Sequence, residues 1–230
     1  MKLQQGGNII EIEVDGKKYT KVSYSIKEEI ANCVTHGVAM AAYIGGLIYM
    51  LSISFDARSY AASLITCFSA ILVYAVSTIY HAVQDTVKKY YLRKLDHSDI
   101  PFLVLGCNAS VCLLLSAHPY NYVALGISVA LALISGVLSV KNVDKYKAVT
   151  ITMNFVIGAV MLAAFILNFG LIAPVVRYLY LAGAILCTTG SILFGIKVKY
   201  MHAIFHVFIT AGTLCFYAGS VLILQSYVPF

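Results

Sequence analysis

A chain of 230 residues that is 60% hydrophobic and only 11% charged, with a mean hydropathy of +0.86, lacks the polar surface to cover a water-soluble globule. Ordinary soluble domains carry about 25% charged residues, so the composition excludes that class and points to an all-α integral membrane protein. The formal charge of +6 calls for no nucleic-acid partner, because basic residues beside a cytoplasmic leaflet face anionic lipid.

Residues 1–30 read as a polar cytoplasmic leader and residues 31–230 as one membrane domain, undivided by any Pro/Gly/Ser-rich linker. Glu11, Glu13 and Asp15 stand where the apolar region of a cleavable signal would have to lie, so no cleavage is expected. Ile10, Ile12 and Val14 alternate with Glu11 and Glu13, and Asp15-Gly16 then leads into Tyr19, Val22, Tyr24 and Ile26. That pattern suggests a small hairpin with a tight turn. Two isolated strands are marginal in water, which leaves a flexible tail as an equal alternative.

A hydrocarbon core of about 30 Å asks for about 20 apolar residues per helical span. Cutting the remainder where charges and turn residues cluster gives seven segments, at residues 32–55, 60–83, 100–117, 122–140, 148–170, 175–196 and 201–227. The basic residues orient them. Lys2, Lys17, Lys18, Lys21 and Lys27 precede the first span; Lys88, Lys89, Arg93 and Lys94 fall in the second loop, Lys141, Lys145 and Lys147 in the fourth, and Lys197 and Lys199 in the sixth. Those fourteen share one side, and only Arg58 and Arg177 lie on the other. The expectation is a seven-transmembrane helix bundle with the N-terminus cytoplasmic and the C-terminus outside. The six cysteines have no CxxC spacing and are expected to be reduced.

With this orientation His36, His81, His97, His202 and His206 all fall at the inner face, and His118 alone at the outer. Ionisable groups within spans are costly and tend to mark function, so their convergence on one level is informative. His202 and His206 are spaced i, i+4, the geometry with which one helical face offers two imidazoles to a single metal. His81, within a helix end, is the best placed third ligand. Three histidines leave one tetrahedral position open, as catalytic zinc sites do. The plainer alternative is a set of interfacial histidines satisfied by water and headgroups.

Ser77-Thr78-Ile79-Tyr80-His81, Lys94-Leu95-Asp96-His97-Ser98 and His202-Ala203-Ile204-Phe205-His206 resemble, in order, the SxxxH, Asp and HxxxH elements of the progestin and adipoQ receptor family, specifically its bacterial hemolysin III branch. Glu29-Ile30-Ala31-Asn32-Cys33-Val34-Thr35-His36 is similar to the ExxNxxTH motif that opens the first span in that family. The resemblance runs from about residue 28 to the end of the chain. It implies a seven-helix fold in the bacterial cell membrane and a zinc ion held by His81, His202 and His206 near the cytoplasmic surface. It also implies that Asp96 holds a water on the metal, with Ser77 one turn before His81 in support.

A divalent ion of this kind makes hydroxide available near neutral pH and polarises a carbonyl, and Asp96 beside it would serve as general base and then proton donor. This is the equipment of an amide or ester hydrolase drawing its substrate from membrane lipid, and the family's likeness in metal motif to membrane ceramidases supports that class by analogy. A non-catalytic receptor or regulator with structural zinc is the second reading. A cytolysin, as the branch name suggests, ranks third, because seven apolar spans provide no soluble state. Among lesser features, Asp99 reads as a helix cap rather than a proton-sharing partner of Asp96. Asn108, Asn154 and Asn168 read as interhelical hydrogen-bond partners, and Gly37, Ala41 and Gly45 as a stripe for close helix packing.

Overall fold

The computed structural model describes residues 8–14, 17–115, 118–196 and 198–228. Strands β1 (Asn8–Val14) and β2 (Lys17–Ser23) pair antiparallel, with Asn8 opposite Ser23 and Val14 opposite Lys17. The expected Asp15-Gly16 turn between them lies outside the described residues. Helix α1 (Ile26–Ile53) starts earlier than the expected 32 because Ser25 and Glu28 form a capping box. The Ser25 side chain accepts from the Glu28 amide, and the Glu28 carboxylate accepts from the Ser25 amide at 3.0 Å, satisfying two orphan donors reciprocally.

Helix α2 (Ala57–Ala82) opens on an equivalent box between Asp56 and Ser59. Small polar residues, Ser59, Ser63, Thr66, Ser69 and Ser77, fill its buried face, so its neighbours can come close. The stretch expected to be the second loop is instead helix α3 (Thr86–Ser98), capped by the Asp85 carboxylate on the Lys88 amide at 2.8 Å. Concentrated charge hid its helical pattern, and Lys89 and Tyr90 are buried. Short helices α4 (Ile100–Gly106) and α5 (Ala109–Leu114) complete that pass, broken at Cys107 and Asn108.

Helix α6 (Pro119–Leu167) has 49 residues and departs from helical geometry at Asn142, where φ is −164° and ψ 100°. A straight helix of that length would span about 73 Å, more than twice a hydrocarbon core. It doubles back instead. The side-chain amides of Asn121 and Asn168 bond each other, at 2.7 and 3.4 Å, across the two ends. At the bend the Asn142 side chain accepts from the Lys145 amide, and Arg93 of α3 grips Asp144 with both guanidinium nitrogens, at 3.1 and 2.6 Å. A 3-10 turn (Phe169–Leu171) leads to α7 (Pro174–Leu193) and then α8 (Met201–Gln225).

Six of the described helical stretches are long and apolar enough to cross a membrane, counting 86–114 as one and α6 as one. Their outer faces expose Ile48, Phe68, Leu133, Phe155, Leu181, Ile192 and many similar side chains, a surface made for lipid rather than water. The buried core runs between α1, α2, α5, α7 and α8, around Tyr43, Tyr74, Val111, Tyr180 and Phe216. The Gly37, Ala41 and Gly45 stripe does not make the closest helix approach. A Cβ at Gly45 would meet nothing within 4 Å, whereas one at Gly183 or Gly212 would stand 2.9 Å from the other's carbonyl oxygen. The tight seam is thus between α7 and α8. The six cysteines are free, as expected.

Candidate metal centre

Three helix ends meet at one level. The start of α1 carries Glu29, Asn32, Thr35 and His36; the end of α2 carries Ser77 and His81; the start of α8 carries His202 and His206. Reversal of direction between successive long helices is what brings these ends together. The Nε2 atoms of His202 and His206 lie 3.1 Å apart, and His81, His202 and His206 each offer a ligand atom within 4.8 Å of the others.

The remaining ring nitrogens explain the orientation. His206 Nδ1 lies 3.2 Å from the main-chain carbonyl of Asn32, which only accepts, so Nδ1 carries the proton and Nε2 a free lone pair. The Thr35 hydroxyl sits 3.1 Å from the same Nδ1 and is itself anchored on the carbonyls of Ala31 and Asn32. His81 Nδ1 lies 2.7 Å from Glu29 Oε2, and the Asn32 side-chain amide is 3.4 Å away. His81 is fully buried, yet its Nε2 has no hydrogen-bond partner. Ligating histidines have this arrangement, one nitrogen held by a carboxylate or carbonyl and the other aimed at the ion.

Aromatic rings wall the cluster. Tyr24 stacks on His202 with centroids 5.2 Å apart, and Phe194 lies 5.6 Å from the same ring. Burial, with Glu29 nearby, raises the Tyr24 phenol above its ordinary value, so it stays neutral. A main-chain tie closes the rim, the Tyr200 amide donating to Glu28 Oε1 at 3.1 Å, where Tyr200 takes a left-handed φ of 62°.

Of the residues expected at the site, His81, His202 and His206 come together as a group. Asp96 on α3 is half-buried and does not join the converging ligand atoms. His36 stacks flat on His206, centroids 3.5 Å apart, but is not one of the three, and neither is His97. His118 sits at the opposite end, stacked on Tyr120. Asp99 occupies the N-cap position of α4, but its carboxylate makes no capping bond and is buried without a partner. Sequence reasoning found the ligand candidates and missed their supports. Glu29, Asn32 and Thr35 lay inside the ExxNxxTH motif, but their spacing did not say which histidine each would hold.

Residues 24–217 match the family model described as haemolysin-III related. The chain belongs to that family. Its relatives include Hemolysin-3 of Bacillus cereus, 28% identical over 203 residues that cover 86% of this chain and 92% of the relative. The Hemolysin-3 homolog of Bacillus subtilis (strain 168) is 29% identical over 203 residues, 83% of this chain and 91% of that one. Membership of the haemolysin-III family and six apolar helices make this a multi-pass membrane protein, in bacteria one of the cell membrane. The three-histidine cluster lies within the matched stretch and is a possible metal site.

Proposed function

We propose that this chain is a zinc-binding membrane protein whose site hydrolyses, or senses, an amide or ester bond of a membrane lipid and so serves membrane homeostasis. One observation carries the reading: His81, His202 and His206 direct ligand nitrogens to one point while Nδ1 of His81 and of His206 is held by Glu29 and by the Asn32 carbonyl. The donor set fits zinc, since three imidazoles with an oxygen-filled fourth position suit that ion. When bound, the ion supplies Lewis acidity toward a carbonyl oxygen and lowers the pKa of a water to about 7.

Every other contribution comes from the chain. Asp96 takes a proton from the attacking water and returns it to the leaving amine or alcohol as the acyl bond breaks. Ser77, one turn before His81, holds that carboxylate in place. Counting the two arms of α6 separately gives seven crossings, with the N-terminus and the histidine level cytoplasmic and the C-terminus outside, in keeping with the skewed distribution of Lys and Arg. Reporters fused after Phe230 and within 88–89 test the topology: opposite sides support seven spans, the same side refutes them.

A second reading, a receptor or regulator with structural zinc, is favoured by the depth of His81, which is 0% exposed and would lock α2 to α8 through the ion. A hydrolysis screen of purified zinc-loaded protein against amide-linked and ester-linked lipids separates the two. Turnover that disappears in His202→Ala supports the enzyme; bound zinc without turnover supports the regulator.

A further inference from the structure

Lys89 should be an ordinary basic residue of a cytoplasmic edge, yet it is 2% exposed and points inward from α3. Its ammonium donates to Glu29 Oε1 and, at 3.2 Å, to the carbonyl of Val83 just past the end of α2, and it lies 5.0 Å over the Tyr80 ring. Glu29 is buried as well and uses its two oxygens separately, Oε1 for Lys89 and Oε2 for His81 Nδ1. Burying two charges is unfavourable unless both are paired and hydrogen-bonded, and apolar residues of similar volume usually serve stability as well or better. A buried pair placed behind a histidine therefore asks for a reason other than stability.

Resting on the metal reading above, we infer that Glu29 and Lys89 are positioning residues for the metal, forming a relay Lys89–Glu29–His81 that fixes which nitrogen of His81 faces the ion. Lys89 is held by the same helix end that carries His81, through Val83 and Tyr80, and it pins one oxygen of Glu29. The second oxygen lies 2.7 Å from His81 Nδ1. The proton stays on Nδ1, and Nε2, which has no protein partner, is presented to the metal. Neither residue touches the ion. Asn32 and Thr35 do the corresponding work for His206 from the same helix.

The test measures zinc affinity of the purified full chain in detergent, by competition with a chromophoric chelator, for wild type, Glu29→Ala, Glu29→Gln, Lys89→Met and His202→Ala. Glu29→Ala should weaken zinc about 10- to 100-fold, the usual cost of losing a group that orients a ligand. Lys89→Met should weaken it in the same direction by a smaller factor. Glu29→Gln should fall between wild type and alanine, because its carbonyl still accepts from His81 while its amide faces the Lys89 ammonium. A second readout separates positioning from plain stabilisation: the rise in Tm on adding zinc should shrink in Glu29→Ala and Lys89→Met. A purely structural pair would lower zinc-loaded and metal-free Tm alike and leave that rise intact. If Glu29→Ala yields no folded protein, Glu29→Gln and Lys89→Met decide. Loss of zinc in His202→Ala with wild-type affinity in all three relay variants overturns this inference alone; full zinc in His202→Ala overturns the metal reading beneath it.

Discussion

The two ends of the helix bundle both carry hydrogen-bonded polar side chains, and they arrange them differently. At the end where α2 begins and α8 finishes, several groups bond one another. Asp56 accepts from the Ser59 amide and from the Tyr227 hydroxyl, both at 2.8 Å, and Asn121 and Asn168 exchange amide hydrogen bonds. At the histidine end Nδ1 of His81 and of His206 is held, while the Nε2 atoms of His202 and His206 lie 3.1 Å apart and His81 Nε2 has no hydrogen-bond partner. A polar cluster that closes on itself holds helices together. One in which three histidines gather ligand atoms within 4.8 Å of one another is a possible metal site.

Breaking the histidine end should have the largest effects. His81→Ala removes a fully buried ring and one of the three proposed ligands together, so metal binding and stability should fail at once. Large-to-small changes at buried sites cost about 2–5 kcal/mol, and thermal unfolding in detergent with and without added zinc should show both the lower Tm and the loss of its zinc dependence. Asp96→Asn makes a different demand. It removes the proposed base and keeps size, so zinc should stay while turnover on a responsive lipid falls about 10²- to 10⁴-fold. Full activity in that variant would remove Asp96 from the chemistry, and loss of zinc would make it a ligand.

The opposite end should respond modestly and without reference to metal. Asn168→Ala breaks the amide pair between the arms of α6 and leaves Asn121 unmatched; membrane hydrogen bonds of this kind contribute about 0.6 kcal/mol on average, at most about 1.7. Unfolding should shift by that order, and zinc content should not change. The smallest effect is electrostatic. The Ser59 amide, followed by the other hydrogen bonds from Ser59 and Tyr227, holds the Asp56 carboxyl below its ordinary value. A depressed carboxyl stabilises the fold above its unfolded pKa, so this contribution should be complete above about pH 4 and decline as pH falls through the lower folded value. Comparing Tm against pH for wild type and Asp56→Asn checks it, and a parallel decline in both would refute it.

This contrast also marks what the sequence made legible. Long apolar runs and the skewed Lys and Arg distribution outlined the helices, because lipid leaves backbone polar groups no partner but the helix itself. The i, i+4 pair at His202 and His206 and the distant His81 were legible for a related reason, since histidines inside apolar runs stand out. Where charge was dense the reading failed. Lys88, Lys89, Arg93 and Lys94 looked like a loop, yet they lie on α3, where Lys89 turns into the core and Arg93 clamps the α6 bend. The hairpin within α6 depends on Asn142, one residue whose extended backbone breaks an otherwise continuous helix. Glu29, Asn32 and Thr35 were visible as a motif, but their partners lie on helices far along the chain, and spacing within one helix carries no information about those.

Metal analysis of protein purified without added metal, with zinc per chain measured in wild type, His202→Ala and His206→Ala, asks whether the three histidines hold an ion. About one zinc per chain is expected in wild type, as a single three-histidine site requires, with a sharp loss in each variant. Full occupancy in both single variants would contradict it.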